Sequence, residues 1–358
     1  MTSKTETQSW LFRLIVGLTA LAVAQPLFSQ KIVIFDYPNS SDTHPTALNF
    51  KGEITGYYLA SSTYHGFLRR PDGSFTSFDV PLPAGGFPSN AIPMDINDLG
   101  QITGFYAFEV QLRSFLRQPD GTIVQFEPPL SAPSRVTAQL QSNSYDKPIC
   151  GGEDWWLSVA MNDAGQVVGS GPVSTAVASG FIRARDGSIK YFDAAPPSLG
   201  QQTCPQAINV WGQIVGYDNT FSAFLRERDG RITQFTLSDA SETIPTAINF
   251  FGEVTGFYQD NTGFHGFIRH PNGVTISFDP AGSNATEPTA MNALGEITGF
   301  YSGMDGIAHS FLRKRNGTII SFDVQNSHGT FARSISLAGA ITGEYFDGAS
   351  YHGFIRKP

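Results

Sequence analysis

The sequence predicts an all-β fold, a seven-bladed β-propeller with four-stranded blades. Three observations carry the expectation. A repeat returns along the whole chain, each copy holds two short turn signatures, and the last copy lacks a strand that stands instead at the N-terminus.

The repeat is clearest in TALNFKGEITGYY (46–58), TAINFFGEVTGFY (246–258) and TAMNALGEITGFY (289–301). Weaker copies place its anchor at Asn97, Asn162, Asn209 and Ser336, beside Asn49, Asn249 and Asn292. The anchors lie 40 to 48 residues apart, except that Asn97 and Asn162 enclose an insertion. Each copy continues as in HGFLRRPDGSFTSFD (65–79), so one unit offers four strand candidates. N-x-x-G joins the first two and a turn with Asp-Gly or Asn-Gly joins the last two, which is the chemistry tight hairpins require. Units of this length with four strands suit propeller blades, and the 3.6 period of helical repeats is absent.

The seventh copy ends at HGFIRKP (352–358), before its Phe-Asp strand. KIVIFD (31–36) supplies that strand from the other terminus, so residues 31–36 are expected to complete the last blade. Closure of this kind removes an exposed sheet edge, which an open array would leave.

The composition, 41% hydrophobic and 15% charged with 37 Gly and 22 Pro, gives both a core and many turns. Residues 1–24 read as a signal peptide: Lys4 and Arg13 precede the apolar run Leu14 to Ala24, and Ala22-Val23-Ala24 offers a cleavage site. The run is short for a membrane span, which needs roughly 20 residues, and a retained anchor is the alternative. Residues 25–358 are then a single propeller domain with an insertion at 128–157, secreted or held in the periplasm or cell envelope. Lys4, Arg13 and Glu6 sum to +1, so the mature chain carries −8 − 1 = −9 and is not expected to bind nucleic acid. No membrane insertion after cleavage is expected, and a monomer is. Cys150 and Cys204 fit an oxidising compartment and form a disulfide candidate.

The turns at one end of the blades are uniform, whereas the connections at the other end (80–92, 128–157, 194–204, 324–331) vary. Function concentrates on variable loops over a rigid scaffold, so that face is the candidate binding surface. Its insertion carries Tyr145, Glu153, Asp154, Trp155 and Trp156, aromatics and acids suited to a glycan or peptide, unless the tryptophans fill the insertion's own core. Asp95 and Arg333 are further ligand-binding candidates, because each breaks a column of small or neutral residues in the innermost strand. The residues that recur in every copy read as structural. The Arg closing each GFLR strand (Arg69 to Arg356) is expected to pair across strands with the Glu or Gln that opens the neighbouring one. The repeated His (His65, His265, His309, His352) stand too far apart for one metal. No catalytic motif, metal site or cofactor site is expected.

The tripeptides His-Gly-Phe, Ser-Ala-Phe and His-Ser-Phe, each followed by (L/I)-R and a Gly turn, resemble the HAF-type bacterial extracellular repeat family over residues 31–358. The literal His-Ala-Phe triplet does not occur. The resemblance implies bacterial export and propeller-like repeats, and no activity. The reading that follows is an exported, non-enzymatic binding or scaffolding module for a glycan, a peptide or an extracellular protein. The alternative is a polysaccharide-acting hydrolase or lyase with acids on the variable face.

Overall fold

The N-x-x-G signatures fold into identical hairpin turns. The Asn49 Oδ1 accepts from the Glu53 amide at 2.9 Å, the Gly52 amide donates to the Asn49 carbonyl at 3.0 Å, and Gly52 takes φ 79°. That left-handed φ is the reason the fourth turn position is glycine. The computed structural model describes residues 31–82, 90–108, 111–126, 157–174, 177–194 and 202–358, all within one unit, Lys31–Pro358.

Every strand segment read from the repeat is present, and the strands pair antiparallel in chain order within sheets of four. Such sheets span 42–78, 91–126, 157–192 and 203–235. The spans 242–278 and 283–322 make two more sets of four, joined by one parallel pair, Phe264 with Ala285. The last sheet holds Gly329–Ile335, Ile341–Phe346 and Tyr351–Arg356, with the N-terminal strand Ile32–Phe35 as its outer member. Val33 pairs with Ile355 and Ile34 with Phe354, so the strand from the chain's start completes the sheet at its end.

Successive sheets are fastened by two repeated devices. In the first, the buried Asn of one turn donates to the carbonyl of the next: Asn49 to Asn97 (3.1 Å), Asn97 to Asn162 (3.2 Å), Asn162 to Asn209 (2.9 Å) and Asn209 to Asn249 (3.1 Å). In the second, the repeated Arg lies over the Phe of the preceding sheet's Phe-Asp pair. Arg117 stands 5.0 Å from the Phe78 ring centre, Arg183 4.9 Å from Phe126, and the series runs on to Arg356, 4.9 Å from Phe322. Arg69 lies 4.5 Å over Phe35, which belongs to the sheet of Arg356, so the series returns to its start.

The cross-strand Arg–Glu/Gln pair expected from the sequence is therefore corrected. Neighbouring residues of a strand face opposite ways, so the Glu or Gln meets the residue after the Arg. Gln101 donates to Gln118 at 2.8 Å, Gln213 to Glu227 at 2.8 Å, and Lys314 reaches Glu296 at 2.7 Å. The Arg instead gives its charge to an aromatic face, worth about 0.5–2 kcal/mol. Burial lowers its pKa from the ordinary value, as at Arg226 and Arg313. The repeated His pair with the Asp of the Phe-Asp strand, His65 with Asp79 (2.7 Å), His309 with Asp323 (2.8 Å) and His352 with Asp36 (2.9 Å).

Candidate active site

A cavity of about 910 Å³ opens where the first strands of the sheets begin and the second strands end, opposite the N-x-x-G turns. The side chains that enter it are set by a β-bulge. In the first strand of each sheet the register shifts across one residue, as between Pro45 and Ala47 or Ala332 and Ser334. A bulge re-aims the extra side chain, and the bulged residues Thr46, Met94, Gln206, Thr246, Thr289 and Arg333 all line the cavity. Arg333 is the charged member of that column.

Two residues before the bulge, the first strand faces the second in a fixed register: His44 opposite Tyr57, Ile244 opposite Phe257, Glu287 opposite Phe300, Phe331 opposite Glu344. The second-strand member is a carboxylate at Glu344, an aromatic at Tyr57, Phe105, Tyr217, Phe257 and Phe300, and a serine at Ser170. Three of these side chains from two sheets converge. The Arg333 Nη2 donates to Glu344 Oε1 at 2.6 Å, and His44 Nδ1 lies 2.6 Å from Glu344 Oε2. Glu344 is 6% exposed. Burial alone would raise its pKa, but Arg333 and His44 outweigh that and hold it at about 2. It is thus a carboxylate at neutral pH and can only accept. His44 Nδ1–H must donate to it, which leaves Nε2 as the ring nitrogen able to exchange a proton with a ligand.

The surroundings fix both partners. The His44 ring stacks on Tyr57, with centroids 4.7 Å apart and planes 19° off parallel. The Arg333 guanidinium lies 5.5 Å from the Phe300 centroid and 5.7 Å from that of Phe331. Among the described residues nothing hydrogen-bonds His44 Nε2, and no cluster of three or more His, Cys, Asp or Glu could hold a metal. The chemistry available is proton transfer at an oriented imidazole with a guanidinium close by.

The sequence-derived candidates separate. Arg333 is in the cavity. Asp95 is not among its lining residues; its carboxylate accepts from Met161 N at 2.8 Å and Ile96 N at 2.9 Å, tying two sheets together. Ser334 does the same for Leu48 N at 3.2 Å. Tyr145, Cys150, Glu153, Asp154, Trp155 and Trp156 lie outside the described residues, as do residues 1–24. Cys204 is buried in the strand Thr203–Ile208. Sequence reading missed His44 and Glu344. The signal for Glu344 was present: ITGEY has Glu where ITGYY, ITGFY and VTGFY have an aromatic.

No family model matches the chain, nor does the sequence of any curated protein. The resemblance to HAF-type repeats thus rests on its motifs alone. Solved structures do match. A streptogramin B lyase superposes with a TM-score of 0.57 at 14% identity, covering 90% of this chain and 97% of that one. A catalytically inactive virginiamycin B lyase variant from Staphylococcus aureus, with quinupristin, gives 0.58 at 14%, covering 92% and 99%. The β-propeller domain of the Trilobed protease from Pyrococcus furiosus gives 0.52 at 9%, covering 88% and 95%. The expectation of a non-enzymatic binding or scaffolding module is corrected by these findings, because the matched structures are those of lyases and of a protease propeller. What the likeness establishes for this chain is the fold: all-β, of the β-propeller kind.

Proposed function

We propose that this chain is an enzyme of the hydrolase or lyase type, working by proton transfer at His44 in the cavity of a closed, seven-bladed propeller. Seven sets of four strands, with the N-terminal strand completing the last, support the ring, as does the Arg–Phe series that returns from Arg356 to Phe35 and Arg69. Export through residues 1–24, a HAF-type repeat lineage and a Cys150–Cys204 bridge remain part of the proposal.

The observation that carries it is the oriented histidine: Glu344, ionised and buried, fixes the His44 tautomer at 2.6 Å. A repeated structural pair would recur around the ring, and among the described residues this one occurs at a single junction, where Arg333 and Glu344 each break a column of the repeat. In the proposed role His44 Nε2 takes a proton from water or from a substrate carbon acid. Glu344 stabilises the imidazolium formed, and Arg333 holds Glu344 and offers positive charge to a developing oxyanion.

The test is a turnover screen of the full chain against panels of esters, lactones, amides and glycosides, run beside His44→Ala. The expected result is activity that falls about 10²–10⁴-fold in the variant, with a thermal melt confirming that the variant is folded. Turnover that His44→Ala leaves intact would sink the proposal.

A further inference from the structure

The fourth sheet, 203–235, breaks the repeat twice at the cavity. In the bulged column the threonine hydroxyls are bonded within the protein: Thr46 donates to the Thr55 carbonyl at 3.3 Å, Thr246 to Pro288 at 2.8 Å and Thr289 to Ala332 at 2.9 Å. The strand Thr203–Ile208 carries Gln206 at that place. Gln206 lines the cavity and is 5% exposed. Among the described residues its carboxamide has no hydrogen-bond partner. A buried amide without a partner is costly to the fold, so its presence in a native chain calls for a reason. The second break is Phe221. The turn Asp218-Asn219-Thr220-Phe221 has phenylalanine where Asp260-Asn261-Thr262-Gly263 of the next sheet has glycine. Phe221 stands at φ 57°, a left-handed backbone that bulky residues rarely adopt. Its amide donates to the Asp218 carbonyl at 2.9 Å, and its carbonyl accepts from Thr243 N at 2.8 Å. Held in this way, the ring lies on the cavity wall, 6.1 Å from the Tyr217 ring and 16° from parallel. Backbone strain of this kind clusters at ligand sites.

From these two breaks we infer that Gln206 recognises a substrate amide whose N–H and C=O lie on one edge, as in a lactam, with its aromatic or apolar body against Tyr217 and Phe221. The inference rests on the proposed reading that His44 does the chemistry in this cavity, and it names the substrate class and a specificity residue for that site. A carboxamide presents N–H donors and a carbonyl acceptor in one plane. A lactam edge answers a donor and the acceptor together. A ketone or ester leaves the Gln206 carbonyl unanswered, and an ammonium group leaves its N–H groups unanswered. The aromatic flanks suit a planar, weakly hydrated group. The fourth sheet lies three sheets after that of His44 and three before that of Glu344. In the proposed ring Gln206 therefore stands across the cavity from the imidazole. A substrate that spans the 910 Å³ space is held at one wall and reacts at the other.

The experiment uses three probes on one fused bicycle: dihydroquinolin-2-one, the ketone 2-tetralone with methylene in place of the N–H, and the alcohol 2-tetralol. Each is titrated calorimetrically into the full chain. The lactam should bind about 10-fold tighter than the ketone or the alcohol, because neither of these answers both groups of the carboxamide at once. Gln206→Met and Gln206→Leu keep an apolar side chain there and remove the polar groups. Each should lose the lactam's advantage through weaker lactam binding, with ketone binding retained. Without ligand their thermal midpoints should be no lower than that of wild type, since no internal hydrogen bond is lost. A glutamine kept for structure would lower both. A lactam without an advantage, a chain that binds none of the three probes, an advantage retained in a folded variant, or midpoints well below wild type in both variants overturns the inference. The two readings fail separately. If His44→Ala keeps both turnover and the lactam's advantage, the catalytic assignment falls and the recognition stands. If turnover depends on His44 but the lactam has no advantage, the recognition falls alone.

Discussion

The two ends of the repeat differ in how much variation they carry. At the turn end, Asn49, Asn97, Asn162, Asn209, Asn249 and Asn292 occupy one buried column, each stapling its own turn. At the cavity end the matching column runs His44, Ile92, Leu157, Cys204, Ile244, Glu287 and Phe331, seven residues of six chemical kinds. The difference assigns the roles. A position that must fasten one sheet to the next sees nearly the same neighbour everywhere, and it holds Asn at all of these places but Ser336. Where this column lines the cavity, at His44, Ile244, Glu287 and Phe331, it faces open space rather than a fixed neighbour, so it is free to become chemical.

The comparison breaks most visibly if the N-terminal strand is removed. Deleting residues 31–36 takes away the outer partner of Tyr351–Arg356, the buried Phe35, and the ring beneath Arg69. Phe35→Ala alone should cost about 3–5 kcal/mol, the range for emptying a buried aromatic site, and the deletion more. Urea unfolding measures both. A truncated chain with the midpoint of the intact one would show that the strand fastens nothing.

At the cavity end the largest effect belongs to Glu344. Glu344→Gln removes the buried carboxylate that both Arg333 and His44 meet, and breaking a buried pair costs up to about 3–5 kcal/mol. The sign of the pH dependence follows from a depressed carboxylate. Folded Glu344 sits at about 2, below the roughly 4.3 of an unfolded glutamate. Its contribution is therefore complete above about pH 4.3 and is lost as pH falls toward 2. Wild type should lose stability across that window, and Glu344→Gln should lose less. Equal acid limbs would mean that the ion pair carries no stability.

The architecture was readable because its determinants are local and recur. Asn49 and Gly52 lie three residues apart, and the unpaired Phe-Asp strand at 31–36 announces the missing one. The partner of the repeated Arg was misread because local spacing points to Glu53, whereas the guanidinium lies over Phe35 on another sheet. Arg333 stood out because it replaces neutral residues in a clean column. His44 and Glu344 did not, since the hydrogen bond between them spans 300 positions of sequence and no short motif encodes it. The insertion residues Tyr145, Glu153, Asp154, Trp155 and Trp156 lie outside the described residues, and the candidate site is built without them.

A smaller effect separates two members of the turn column. Asn209 donates to the Asn249 carbonyl at 3.1 Å, while Asn249 meets Met291 Sδ at 3.8 Å instead of a carbonyl. Thioether sulfur is a weak acceptor. Asn209→Ala should cost about 1–3 kcal/mol and Asn249→Ala about 1 kcal/mol less. Equal losses, measured by urea unfolding, would show that the inter-sheet bond adds nothing beyond the turn staple.

The smallest effect concerns the repeated histidines. His309 lies between Asp323 at 2.8 Å and Asp305 at 3.1 Å, and His352 between Asp36 at 2.9 Å and Asp347 at 3.1 Å. Burial would lower each histidine's pKa, but the paired aspartates prevail and the net shift is upward. A raised histidine contributes stability that is complete below the unfolded value near 6.5 and lost as pH rises through the folded one. The aspartates are about half exposed, so solvent screening keeps each pair weak. Asp305→Asn should therefore lower stability slightly at pH 5.5 and leave it unchanged at pH 9, where the imidazole is neutral. A loss of the same size at both pH values would assign the contact to hydrogen bonding rather than charge. It would then join the Arg–Phe stacks as a device that only holds the sheet together.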